Sequence, residues 1–360
     1  MFPYYTAKNL FFAELVHKAI VIPNQFYIPL FIINGLLIWL IGRKLLKGGY
    51  HFIPPLVYFL SPWIYYLTFA QSFYIFLLFL TLLIAYGLIQ TETGGKKLGN
   101  IFVLTGSVIA IYCSLSLLII LPILFILLST LKIVSLKNIK TSAILLILLT
   151  LPLLTLIDKN TVGFKNILRN EIKIFSDPGL VNTVNRYQGA ATQEGYKNLA
   201  RISENRYLFF AEYSALKYFT QLVPETFFTP QYKLLGFSFS PPVLLGFIIP
   251  FAYGLYKLFQ KSNSRRILFI STLLVVPSVL ANNLVSLNRL VLFSPIIIFV
   301  ISFGLIYLYG LKKNKTAKVF LALTIILVIF QLAVTFSDIK TREIRRFEKY
   351  FGEKFELVEQ

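Results

Sequence analysis

Apolar runs long enough to cross a bilayer recur along the whole chain, and charged residues are confined to the breaks between them. A hydrocarbon core of about 30 Å needs roughly 20 consecutive apolar residues in a helix. Only 14% of the 360 residues are charged and 57% are hydrophobic, so a soluble domain of this size would lack the charged surface it needs. The pattern predicts an all-α, polytopic transmembrane bundle. About ten spans can be drawn, at 24–42, 53–69, 72–89, 100–113, 115–132, 139–157, 236–259, 267–285, 290–310 and 317–336. The fourth is short for a bilayer. Prolines punctuate the spans, which a multi-helix bundle tolerates because neighbouring helices re-satisfy the backbone.

The charges then orient the bundle. One set of loops holds 16 Lys and Arg against Glu92 alone, from Arg43 and Lys44 through to Lys315 and Lys318. The tight turns on the other side, near residues 70–72, 114 and 286–289, carry only Arg289. Lysine and arginine mark loops that stay in the cytoplasm. The remaining 14 of the 15 acidic residues therefore fall outside. This reading puts both termini outside and the protein in the plasma (inner) membrane.

Five regions follow. Residues 1–22 form an outer interfacial amphipathic segment, and 23–157 hold the first six spans. Residues 158–235 form a large, mostly helical extracytoplasmic loop. Residues 236–336 hold the last four spans, and 337–360 form an extracytoplasmic amphipathic tail. Within the loop, Asp177-Pro178 reads as a helix cap followed by a first-turn proline. A second helix is expected over 206–223, with Tyr207, Phe210, Ala211, Ser214, Phe219, Leu222 and Val223 facing membrane or protein.

Several function classes fall away. The net charge of +20 belongs to membrane orientation rather than to nucleic acid. Cys113 is alone, and His17 and His51 are too far apart for a zinc site. No phosphate-binding glycine loop, zinc-protease or serine-hydrolase motif occurs. No cofactor is required; a divalent metal is compatible with the sequence, but no residue set assigns it a place.

What remains is carboxylates and cations at an outer membrane surface. That suits chemistry on a lipid-linked phosphate, with the apolar tail between helices and a carboxylate deprotonating an acceptor hydroxyl. Arg289, beside Asn288 in a tight outer turn, has two open readings. It is an arginine snorkelling to the interface or a bidentate phosphate contact. Glu14, Asp158 and Glu171 are weak candidates for the base; each also reads as a solvated charge. Trp63, with Tyr65 and Tyr66, reads as interfacial aromatic belt or as a sugar platform.

Three stretches carry a family resemblance. Leu60-Ser61-Pro62-Trp63-Ile64-Tyr65-Tyr66-Leu67-Thr68 resembles the outer end of the third transmembrane helix in integral-membrane glycosyltransferases of the GT-C type. Glu171 to Asn182 resembles part of their large outer loop. Asn288-Arg289, followed by Leu290 to Ile298 with Pro295, resembles a late turn and helix of the same proteins. The group is similar to polyprenyl-phosphate-mannose–protein mannosyltransferases and lipid A aminoarabinose transferases.

The resemblance implies transfer of a sugar from a polyprenyl-phosphate carrier to an extracytoplasmic acceptor, with inversion. Arg289 would contact the carrier phosphate, with Asn288 and Trp63 beside the substrate. Such enzymes begin in the cytoplasm, cross once and present an acidic motif that supplies the base. Here residues 1–22 resemble only the segment after that motif, so a missing start is expected and no base is carried over. A non-catalytic membrane subunit and a lipid-linked-saccharide transporter or flippase stand as alternatives. The spans hold no acidic or basic residue away from their ends, which argues against a coupled transporter.

Overall fold

A computed structural model describes residues 26–46, 48–69, 72–131, 133–134, 178–196, 205–229, 241–281, 285–311 and 314–342. Every regular element among them is helical. Five helices are long and apolar enough to cross a membrane: Tyr27–Leu45, Tyr74–Glu92, Lys96–Cys113, Leu287–Gly310 and Lys315–Thr335. A bent pair, Tyr50–Phe59 with Pro62–Phe69, makes a sixth if counted as one span. The segment drawn at 139–157, the first 22 residues and the tail beyond Arg342 lie outside the described residues.

Helix α1 (Tyr27–Leu45) ends on Arg43 and Lys44, where cations meet the partial negative charge of a helix C-terminus. Gly48 and Gly49 follow with φ of 71° and 79°, a left-handed turn that only glycine enters without penalty. The chain returns through a 3-10 turn at Tyr50–Phe52 into α2 (Ile53–Phe59) and α3 (Pro62–Phe69). The axis bends by 53° between them. Pro62 fixes the site of the bend, because it opens α3 and has no N–H to continue the ladder of α2.

Helices α4 (Tyr74–Glu92) and α5 (Lys96–Cys113) form an antiparallel hairpin. The fifth helix begins at Lys96, four residues before the expected span, and so reaches 18 residues. The hairpin closes because glycines face each other: a Cβ on Gly87 would stand 2.8 Å from the Gly99 carbonyl oxygen. Small residues that let backbones approach are the usual glue between helices in lipid, where no hydrophobic force separates one apolar surface from another. Helix α6 (Leu115–Thr130) completes this side, with Leu77, Leu80, Ile84, Val103, Ala110 and Leu117 as its buried centre.

Two helices are described from the long loop, α7 (Pro178–Gln193) and α8 (Arg206–Leu222), followed by the single turn α9 (Glu225–Phe228). The Asn205 side chain accepts from the Tyr207 N–H at 2.9 Å and caps α8. The residues expected to face membrane or protein divide: Phe210 is buried, whereas Tyr207, Phe219 and Val223 are exposed.

The second half of the bundle contains α10 (Ile248–Phe259), α11 (Ser262–Ser271), α12 (Val276–Val279), α13 (Leu287–Leu290), α14 (Ser294–Gly310) and α15 (Lys315–Arg342). The segment drawn as one span at 267–285 is broken: a 3-10 turn at Thr272–Val275 and Pro277 interrupt it. Helix α15 is apolar all round yet barely covered; Ile325, Ile326, Ile329 and Phe330 are each more than half exposed. An apolar helix with outward-facing side chains needs hydrocarbon around it, and with the other long apolar helices it marks a membrane protein.

Candidate functional site

Among the described residues, the irregular backbone is concentrated where α2 breaks into α3, at Pro241–Leu244, and along 272–281 and 285–293. Within a membrane, non-helical backbone survives only where protein buries it or a water-filled cavity is lined by it. These three stretches satisfy one another. The Pro242 carbonyl accepts from the Ser61 hydroxyl at 3.1 Å and the Trp63 N–H at 3.0 Å. The Val243 N–H donates to the Phe227 carbonyl at 2.8 Å. Ser278 ties the far side, donating to the Ser286 carbonyl at 3.0 Å while accepting from its N–H at 3.1 Å.

Trp63 sits at the centre of this knot. Its indole is fully buried, and its Nε1–H donates to the Leu287 carbonyl at 3.1 Å. Its ring packs on Phe227, which in turn meets Phe293. Tyr66 is buried too, and Tyr65 half-buried. These aromatics are therefore interior rather than an interfacial belt, because the bend at Ser61–Pro62 turns α3 inward. Trp63 lies behind the Asn288–Arg289 turn and holds it from below. Trp63→Phe should lower the unfolding midpoint in detergent, since a buried carbonyl left without its donor costs about 1–3 kcal/mol. An unchanged midpoint would mean that Leu287 finds another donor.

The structure thus brings three of the sequence candidates together: Trp63 bonds the residue that precedes Asn288 and Arg289. Both of these are half-buried. The Arg289 Nη1 donates to the Pro277 carbonyl at 3.2 Å. Glu14, Asp158 and Glu171 lie outside the described residues.

One residue has no counterpart among the sequence candidates. Lys217 of α8 is fully buried, and its ammonium donates to the Ala281 carbonyl and stands 5.5 Å from the Tyr213 ring centroid. Pro277 lies in α12, and Ala281 lies two residues past its end. Two cations, Lys217 of α8 and Arg289 of α13, therefore bond carbonyls within and just past the single turn of α12. A sequence signal existed: Phe210, Tyr213, Lys217 and Gln221 follow a helical spacing, with the lysine inside that series rather than on the opposite face.

Among the described residues, no three His, Cys, Asp or Glu side chains gather as a metal site would need. The chain matches no protein-family model, no curated protein and no solved structure.

Proposed function

We propose that this chain is a membrane glycosyltransferase of the GT-C kind, or part of one, that takes a sugar from a polyprenyl-phosphate carrier and gives it to an extracytoplasmic acceptor. The observation that carries the reading is the convergence of Lys217 and Arg289 on carbonyls within and just past α12, within a membrane-embedded bundle. A phosphate on an apolar tail needs that combination: cationic donors held in place at the edge of hydrocarbon.

The finer topology belongs to the same proposal. Ten spans cross the plasma membrane, the loop 158–235 and both termini lie outside, and the lysine-rich turns lie inside. The acceptor hydroxyl or amine needs a carboxylate to take its proton; Glu14, Asp158 and Glu171 are the candidates. Arg289 contacts the carrier phosphate, with Asn288 beside it; the buried Lys217 adds positive potential behind the site, and Trp63 positions the turn.

Binding tests this without requiring turnover. The full chain in lipid nanodiscs is titrated with a polyprenyl phosphate and, separately, with the matching phosphate-free polyprenol. The phosphate should bind more tightly, and Arg289→Ala should weaken it about 10- to 100-fold, the loss expected for a charged hydrogen bond. Equal affinity for the two lipids, or an Arg289→Ala variant that binds like the parent, overturns the proposal.

A further inference from the structure

Helix α8 has two different sides. At 100° per residue, Phe210, Ser214, Lys217 and Gln221 share one side, and the structure buries or half-buries all four. Leu208, Ala211, Glu212, Ala215, Leu216, Phe219 and Val223 share the other. All seven are exposed, with Phe219 at 67% and Leu216 at 58%. Such a face would be an aggregation liability in water.

The depth of the helix identifies what covers it. The Tyr218 hydroxyl of α8 donates to the Thr272 hydroxyl, and the Thr272–Val275 turn packs against Val291–Phe293. Val291–Phe293 belongs to the candidate span Leu287–Gly310, of 24 residues. Centred in roughly 30 Å of hydrocarbon, a helix of that length, about 36 Å, would overhang by about 3 Å at each end. Val291 and Phe293 lie about 6 and 9 Å from its Leu287 end, which is about 3 to 6 Å inside the hydrocarbon. Helix α8 is docked at that level on the flank of the bundle. Its buried side faces protein, so the opposite side faces outward at the depth of acyl chains.

From this geometry we infer that α8 is an interfacial membrane helix whose Leu208–Leu216–Phe219–Val223 face inserts into the acyl chains of one leaflet. The depth fits the level at which such helices settle, about 5–10 Å into the headgroup and acyl boundary. Glu212 is the one charged residue among the exposed positions of this face. It lies in the N-terminal half, while the bonds of Lys217 and Tyr218 anchor the C-terminal half to the bundle. On this placement the end of α8 that carries Phe219 and Val223 lies deeper than the end that carries Leu208. The inference concerns only how the helix lies and stands apart from the glycosyltransferase reading.

Nitroxide labels test it in the full-length protein reconstituted into phosphatidylcholine–phosphatidylglycerol vesicles. A Cys113→Ser background carries single cysteines at Leu208, Leu216, Phe219 or Val223, and at Ile326 of α15 as a lipid-exposed reference. All five introduced positions are exposed, so the fold is not challenged. Labels at Leu216, Phe219 and Val223 should collide with oxygen as readily as the Ile326 label and be protected from a water-soluble nickel chelate. The label at Leu208 should be shallower. Free access of nickel to Phe219 and Leu216 would place the face in water. Protection from both reagents would mean that protein covers it. Either result overturns the inference.

Discussion

Gly304→Val is expected to be the most damaging single change in this bundle. Helices α10 and α14 touch backbone to backbone: a Cβ built on Gly304 falls 1.7 Å from the Pro250 carbonyl oxygen, and one on Gly254 falls 2.0 Å from the Val300 carbonyl oxygen. No rotamer change relieves such a contact, because the obstacle is main chain. The helices must separate, and every other contact along their interface loosens with them. Overpacking where side chains can yield costs about 1–3 kcal/mol, so an unyielding backbone puts this variant at or above about 3 kcal/mol. An SDS unfolding titration should show the loss, with much reduced yield of folded protein. Gly310→Ala serves as the control: nothing lies within 4 Å of its Cβ position, and its midpoint should match the parent. A Gly304→Val protein as stable as the parent would mean that α10 and α14 do not meet this way.

Lys217 gives the second large effect, and two substitutions separate its roles. Lys217→Ala removes a fully buried side chain and takes the donor from the Ala281 carbonyl. The cavity and the unsatisfied oxygen together should cost about 2–4 kcal/mol. Lys217→Met keeps most of the stem and drops the charge. It leaves the Ala281 carbonyl without the same donor but spares most of the cavity, so this variant should fold about 1–3 kcal/mol below the parent. It should also bind polyprenyl phosphate at least about 10-fold more weakly. Parental stability and parental affinity together would reduce Lys217 to a structural group and remove it from the proposed site.

Much of the fold was legible because lipid is a simple judge. A segment without polar side chains over about 20 residues has few alternatives to a spanning helix. Hence Tyr74–Glu92 falls where 72–89 was drawn, and Leu287–Gly310 where 290–310 was drawn. The start of α5 at Lys96 was missed because charge was taken to end a helix. In a tight hairpin those lysines occupy the first turn, where their side chains reach water while the backbone is already helical. The break within 267–285 was hidden because its residues are as apolar as those of an unbroken span, and Pro277 alone does not say whether a helix kinks or stops.

The site was legible only in part. Arg289 stood out as the one charge in a set of otherwise uncharged turns, and hydropathy alone exposes that. Lys217 did not stand out, because a lysine in an amphipathic helix is usually solvated, and only the partner across the interface distinguishes a buried one. Trp63 read as a surface aromatic because aromatic belts are common at span ends, and the bend that buries it arises from packing.

The sequence by itself settled that this chain is a helical membrane protein and which turns carry its cations, because hydropathy and charge act locally, residue against solvent. Only the tertiary structure decided that α3 folds inward to put Trp63 under Leu287. It alone brought Lys217 and Arg289, some 70 residues apart in the chain, to carbonyls within and just past α12, and turned one face of α8 outward. Those outcomes depend on which carbonyls are left without helical partners when spans break, and on where distant donors lie in space to meet them.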